Sequence, residues 1–161
     1  MRIAKTYSHF HGLEFLEVHR PELLHDLRQS IEELEPAEIE NGDGDIFATT
    51  ASNGAGARRY HVKLDARDWH YLNSARLPCF NKQQTGLKFC FGLRTGELKP
   101  EFDDFCARYR NGEIELGVGV FPMERIRQDF ATVDFETAVQ DLRKRGRVDT
   151  VVPLLLFAVE A

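Results

Sequence analysis

The chain closes on nine consecutive residues without a charge, Val151-Val152-Pro153-Leu154-Leu155-Leu156-Phe157-Ala158-Val159. No apolar run in the chain approaches the ~20 residues needed to cross a bilayer, and this one suits a buried strand. Glu115-Leu116-Gly117-Val118-Gly119-Val120-Phe121-Pro122 reads as a second strand. Between the two, residues 135–145 place Phe135, Val139 and Leu142 at helical spacing, with basic residues in the last turn that suit the macrodipole. The same alternation opens the chain. Residues 2–8 alternate as a strand, and from Leu13 to Leu34 apolar residues recur at three- and four-residue steps. Pro21 sits in the first turn of a second helix, where its missing N–H costs nothing. Strands alternating with helices indicate an α/β (α+β) class, and 161 residues suffice for one domain over 1–161.

The middle of the chain is less decided. Pro36 and Asn41-Gly42-Asp43-Gly44-Asp45 read as a loop. Ile46–Thr50 and Tyr60–Leu64 read as a hairpin around Asn53-Gly54-Ala55-Gly56, while Tyr60, Leu64 and Arg67 also share a helical face; the hairpin is preferred. Gly54-Ala55-Gly56 is too short for a phosphate loop. After Pro78, Leu87, Phe89 and Phe91 alternate as a half-buried strand, and Phe102, Phe105 and Tyr109 mark a short helix ending near Asn111-Gly112. Trp69 reads as a core anchor.

Charge is distributed unevenly around a net −5. Residues 14–45 hold eleven carboxylates against Arg20 and Arg28. Residues 54–99 hold nine cations, Arg58, Arg59, Lys63, Arg67, Arg76, Lys82, Lys88, Arg94 and Lys99, against Asp65, Asp68 and Glu97. An acidic shoulder beside a basic middle is compatible with either a phosphate-binding face or ordinary solvated surface. Cys79, Cys90 and Cys106 form an odd set without C-x-x-C spacing, which argues for a reducing compartment. With no signal-type opening, a cytoplasmic location is expected.

Two blocks carry a family resemblance. Met1-Arg2-Ile3-Ala4-Lys5-Thr6-Tyr7-Ser8-His9, Gly12-Leu13-Glu14-Phe15-Leu16-Glu17-Val18-His19 and Pro21 open the chain. Gly117-Val118-Gly119-Val120-Phe121-Pro122-Met123, Gly146-Arg147 and Val152-Pro153-Leu154-Leu155-Leu156 close it. In order and content these resemble the BglII and BstYI restriction endonucleases over about residues 1–35 and 78–159. Residues 36–77 fall outside the resemblance and are shorter than in those enzymes. The resemblance implies a restriction-endonuclease-like mixed β-sheet flanked by helices, a homodimer on short palindromic duplexes, and magnesium. It also implies an aspartate at a strand start, a glutamate nine residues later, and a glutamine two beyond that, where related nucleases carry lysine.

On that alignment Cys79 stands for the aspartate, Lys88 for the glutamate and Cys90 for the glutamine. An ammonium offers only donors and repels a second cation, so the inherited centre is expected to be inert, with no metal and no other cofactor. Two rescues remain. Glu97-Leu98-Lys99 has the E-x-K form, with Asp65 or Asp68 upstream, and would make an active magnesium-dependent endonuclease with a relocated site. Alternatively Cys79 and Cys90, joined by a histidine, would take a soft ion such as Zn²⁺. His9, His11, His19 and His25 have no spacing that gathers them round one ion. The first expectation is therefore a non-catalytic domain binding duplex DNA through Arg58, Arg59, Lys63, Lys82, Lys88 and Arg94, with Lys88 contacting the phosphate that metal once held. A non-DNA interaction module is the other alternative. No membrane partner is expected, and residues 13–34 are expected to supply the dimer surface, having more apolar positions than one sheet face covers.

Overall fold

The computed structural model describes residues 1–34, 63–72, 77–91, 93–123 and 133–160. Two helical stretches in the first segment follow an opening strand: β1 (Arg2–His9), α1 (Gly12–His19) and α2 (Pro21–Glu32), with Pro21 in the first turn as expected. Then come β2 (His70–Leu72), β3 (Cys79–Lys82), β4 (Thr85–Phe89), α3 (Leu98–Arg110), β5 (Leu116–Pro122), α4 (Phe135–Asp149) and β6 (Leu154–Glu160). The six strands form one sheet in the order β1-β6-β5-β4-β3-β2. β4, β5 and β6 run parallel, joined by α3 and α4 as crossovers; the outer pairs are antiparallel.

Crossover helices explain why the central strands lack a polar face. Leu16, Leu23, Leu24, Leu27, Ile31 and Leu34 cover one side of the sheet, meeting Leu87, Phe89, Val118, Val120, Leu155 and Phe157. Phe102, Phe105, Ala138, Val139 and Leu142 cover the other, meeting Cys90, Leu154 and Leu156. Both faces are therefore core, and β5 and β6 are buried almost throughout.

Four expectations change. β4 is buried at all five positions rather than alternately, because α3 covers the face that Lys88 and Cys90 occupy. Residues 63–65 are helical, so the strand expected over Tyr60–Leu64 does not form at its described end; the rest of that hairpin and the 41–45 loop lie outside the described residues. α4 extends to Asp149, past a break at Gly146 with φ 62° and ψ −164°. Finally, the apolar positions of residues 13–34 are not spare. They are spent on the chain's own core, and Val18, 72% exposed, is the large hydrophobic residue they leave outward.

Two sharp turns frame the strands. Phe10 and His11, between β1 and α1, both have positive φ, at 52° and 60°. Gln83 and Gln84, joining β3 to β4, do too, at 50° and 58°. That is the left-handed geometry of a two-residue hairpin, which Asn-Gly adopts with less strain. Among the described residues no helix is long and apolar enough to cross a membrane.

Candidate functional site

The β3–β4 hairpin brings together the three positions singled out in the sequence. Phe80 lies opposite Leu87, and the register continued by one residue sets Cys79 against Lys88. A Cβ built on Gly86 would lie 3.5 Å from the Cys79 sulfur, so Cys79, Gly86, Lys88 and Cys90 share one face of the sheet. That face looks onto α3. Lys88 is fully buried there, its Nζ donating to Glu101 Oε2 at 2.7 Å and pairing with Asp104 Oδ2 at 2.6 Å. The ammonium also lies 5.1 Å from the centre of the Phe105 ring.

The pair belongs to a longer chain of charges. Asp104 Oδ2 accepts a second bond, 2.9 Å, from Arg108 Nε, and Arg108 Nη1 reaches Glu113 Oε2 at 2.8 Å. Glu101, Asp104, Phe105 and Arg108 recur at three- and four-residue steps, so one face of α3 presents all of them. Glu101 Oε1 is buried without a hydrogen-bond partner among the described residues.

Burial and pairing oppose one another at these groups, and pairing wins. Burial pushes the Lys88 ammonium toward neutrality, but Glu101 and Asp104 more than offset this and hold its pKa above the ordinary lysine value. Burial likewise pushes Asp104 up, while Lys88 and Arg108 outweigh it and keep the carboxyl below the usual range. At the thiols burial wins, although Lys88 pulls both the other way. Burial drives Cys79 up to about 11, and Cys90 higher still. At neutral pH the cluster thus holds the Lys88 ammonium beside the Asp104 carboxylate, flanked by neutral thiols.

Those residues do not fit magnesium. Mg²⁺ requires near-octahedral oxygen ligands at about 2.0–2.1 Å. The two carboxylates already converge on a fixed cation, and a dication about 4 Å from it meets roughly 8 kcal/mol of repulsion at an effective dielectric near 20. Neutral thiols add no hard donor. Among the described residues no group of three or more His, Cys, Asp or Glu could hold a metal, which includes any set of Cys79 and Cys90 with a histidine.

The fallback residues make local contacts. Glu97 closes a 3-10 turn ahead of α3, and its carboxylate accepts the Arg94 N–H at 2.9 Å. Lys99 pairs with Asp103 at 2.5 Å on the exposed side of α3. Asp65 and Asp68 lead into β2 at the sheet edge. His9 is buried with Nε2 3.2 Å from the Thr150 carbonyl, and His11 stands exposed beside Glu14.

The basic middle meets the acidic shoulder directly. Asp26 on α2 receives Arg67 at 2.9 Å, Lys82 at 3.0 Å and the Trp69 indole N–H at 3.2 Å. Arg67 also forks onto Glu33 at 2.7 Å, and Lys63 donates to the Glu33 carbonyl at 3.3 Å. Burial pushes Asp26 up, but bonds from Lys82 and Arg67 outweigh it and leave its carboxyl below the ordinary range. Of the cations expected to face DNA, Arg94 is exposed, Lys63 and Lys82 are tied to α2, and Lys88 is buried, which corrects its expected phosphate contact. Arg58 and Arg59 lie outside the described residues.

No family model matches the chain, and no curated protein does. Among the solved structures that the chain is similar to are two of BglII. Free BglII aligns at a TM-score of 0.68 and 12% identity, covering 100% of this chain and 80% of BglII. The BglII restriction endonuclease complexed with a DNA 16-mer aligns at 0.71 and 12%, covering 98% and 76%. The fold is therefore the BglII-type restriction-endonuclease-like one, a mixed sheet flanked by helices, as the resemblance implied. Sequence reasoning missed Glu101, Asp104 and Arg108. Their signal was an acid–acid–base series on the buried Phe105 face of α3, easily taken for a solvated surface.

Proposed function

We propose that this chain is a restriction-endonuclease-like domain that does not cleave DNA and that binds duplex DNA through its fold. The observation carrying the proposal is Lys88, fully buried and already paired with Glu101 and Asp104, at the position that the resemblance aligns with a metal-binding glutamate. A dication is repelled there, so no activated water forms. Duplex binding is supported by the likeness to a BglII–DNA complex. Arg94 stands exposed between β4 and α3, and is the exposed member of the expected cation set among the described residues. Arg58 and Arg59 complete the proposed set, with Lys63 and Lys82 subordinate because α2 engages them.

Affinity is modest in this reading. Few cations are available for counterion release and the net charge is −5, so binding falls in the non-specific range of ~10⁻⁴–10⁻⁶ M. A palindromic duplex implies a two-fold protein pair, and a homodimer belongs to the same proposal. Fluorescence anisotropy with a short labelled duplex tests it. Binding weakens with salt, and Arg94→Ala makes the log K against log salt slope shallower. No binding at low ionic strength overturns it and favours a second reading, a protein-interaction module. The pairing of Arg67, Lys63 and Lys82 with α2 supports that alternative, since it removes cations from any phosphate-facing surface.

A further inference from the structure

Arg67 holds two acids in unlike ways, Asp26 on α2 and Glu33 at the C-terminal cap of that helix. Its Nη1 donates to Asp26 Oδ1 at 2.9 Å, and Lys82 and the Trp69 indole converge on the same carboxylate, which is 21% exposed. Its Nη2 donates to both carboxylate oxygens of Glu33 at 2.7 Å, and Glu33 is 49% exposed. The first contact belongs to the fold and anchors the guanidinium. The second borders an open cavity of about 630 Å³ lined, among the described residues, by Glu33, Lys63, Ala66 and Arg67.

Further donors gather around Glu33. Gln29 Nε2 donates to its Oε1 at 3.0 Å, and Lys63 Nζ donates to its backbone carbonyl at 3.3 Å. The carboxylate therefore rests among a guanidinium, an amide and an ammonium, which is the donor set of an anion subsite. A phosphodiester spreads one negative charge over two non-bridging oxygens, as a carboxylate does over its pair, and arginine receives either. An exposed ion pair contributes little in water, so Glu33 is exchangeable where the more enclosed Asp26, with three donors, is not. We infer that Arg67, Gln29 and Lys63 form a phosphate subsite for the backbone of duplex DNA, which Glu33 occupies as an internal competitor until the duplex displaces it. In the native chain the displaced carboxylate turns into solvent, while Arg67 stays anchored by Asp26.

This inference rests on the proposed duplex binding and specifies what holds that binding back. Anisotropy titrations with the short labelled duplex, at several salt concentrations, compare the wild type with Glu33→Gln, Arg67→Ala and Glu17→Gln, an exposed acid of α1. Glu33→Gln binds about fivefold tighter, the scale of an exposed ion pair that no longer has to open, and keeps the wild-type salt slope. Glu17→Gln changes the net charge equally and gains little, because salt screens a charge away from the subsite. Arg67→Ala makes the slope of log K against log salt shallower by about 0.9, the loss of one phosphate contact. If Arg67→Ala is unfolded by circular dichroism, Glu33→Gln against Glu17→Gln decides alone. Inorganic phosphate at matched ionic strength competes poorly, since it lacks the neighbouring contacts of a backbone; full competition by it assigns the subsite to free phosphate and overturns the inference. Equal gains in Glu33→Gln and Glu17→Gln, no gain in Glu33→Gln, or an unchanged slope in folded Arg67→Ala also overturn it, while wild-type binding leaves the proposed function standing. Absence of binding in every variant overturns both.

Discussion

Lys88→Met keeps the length and approximate volume of the side chain and deletes its charge and three donors. Among the described residues Glu101 then has no donor at Oε2, and none at Oε1 to begin with. Removing one partner of a buried pair costs about 3–5 kcal/mol, because the surviving charge is left uncompensated. Asp104 is 29% exposed and keeps Arg108, so the loss falls mainly on Glu101. At about 2–4 °C per kcal/mol for a chain of this size, Tm drops by roughly 6–20 °C. The double variant Lys88→Met/Glu101→Leu recovers most of this, since apolar residues replace buried ion pairs at little cost.

The pH profile gives the same prediction a second readout. Asp104, whose folded pKa is lowered, contributes stability above its unfolded value near ~3.9 and loses it as pH falls through the folded value. Lys88, whose folded pKa is raised, contributes fully below ~10.4 and loses that as pH rises through its folded value. Lys88→Met abolishes the alkaline loss due to Lys88. It also shallows the acid limb without removing it, because Lys82 and Arg67 still hold Asp26 down. Melts by circular dichroism across pH measure both limbs. A Lys88→Met variant within about 1 kcal/mol of wild type, or a double variant no better than the single, refutes the reasoning.

Asp26→Ala removes the acceptor shared by Arg67, Lys82 and Trp69 and destabilises the fold by about 2–3 kcal/mol, read as a lower urea midpoint with unchanged slope. Gln83→Asn/Gln84→Gly relieves two left-handed residues in the β3–β4 turn and raises stability by about 1 kcal/mol in the same assay; a loss of stability would mean that the glutamines make contacts that outweigh their strain.

The elements easiest to read from sequence were those whose burial repeats locally. Leu23, Leu24, Leu27 and Ile31 disclose α2 because one helical face meets the sheet, and the uncharged run 151–159 discloses β6 because both its faces are covered. Gly112, with φ 72°, marks the chain's exit from α3, close to where Asn111-Gly112 placed it. β4 was legible in one half only. Leu87 and Phe89 reveal the face toward α2, while Lys88 on the other face resembles a solvent-facing residue until its partners are known. Those partners lie 13 residues or more along the chain, on a helix whose docking angle no local pattern encodes. The resemblance singled out Cys79, Lys88 and Cys90 but not Glu101 and Asp104, which pair with the lysine. The charge blocks were visible as composition; that Asp26 and Glu33 capture Arg67 and Lys82 is a tertiary fact, and it reverses the simplest reading of the basic middle.

The central claim of the proposed function is that the buried Lys88 stands where the resemblance implies a metal-binding glutamate. Its most direct test is incubation of the purified protein with supercoiled plasmid in Mg²⁺ and in Mn²⁺, with Lys88→Ala and Glu101→Gln as controls. The account predicts no nicked or linear product above the metal-only background for the wild type. Metal-dependent cleavage by the wild type that disappears in Lys88→Ala or Glu101→Gln contradicts it.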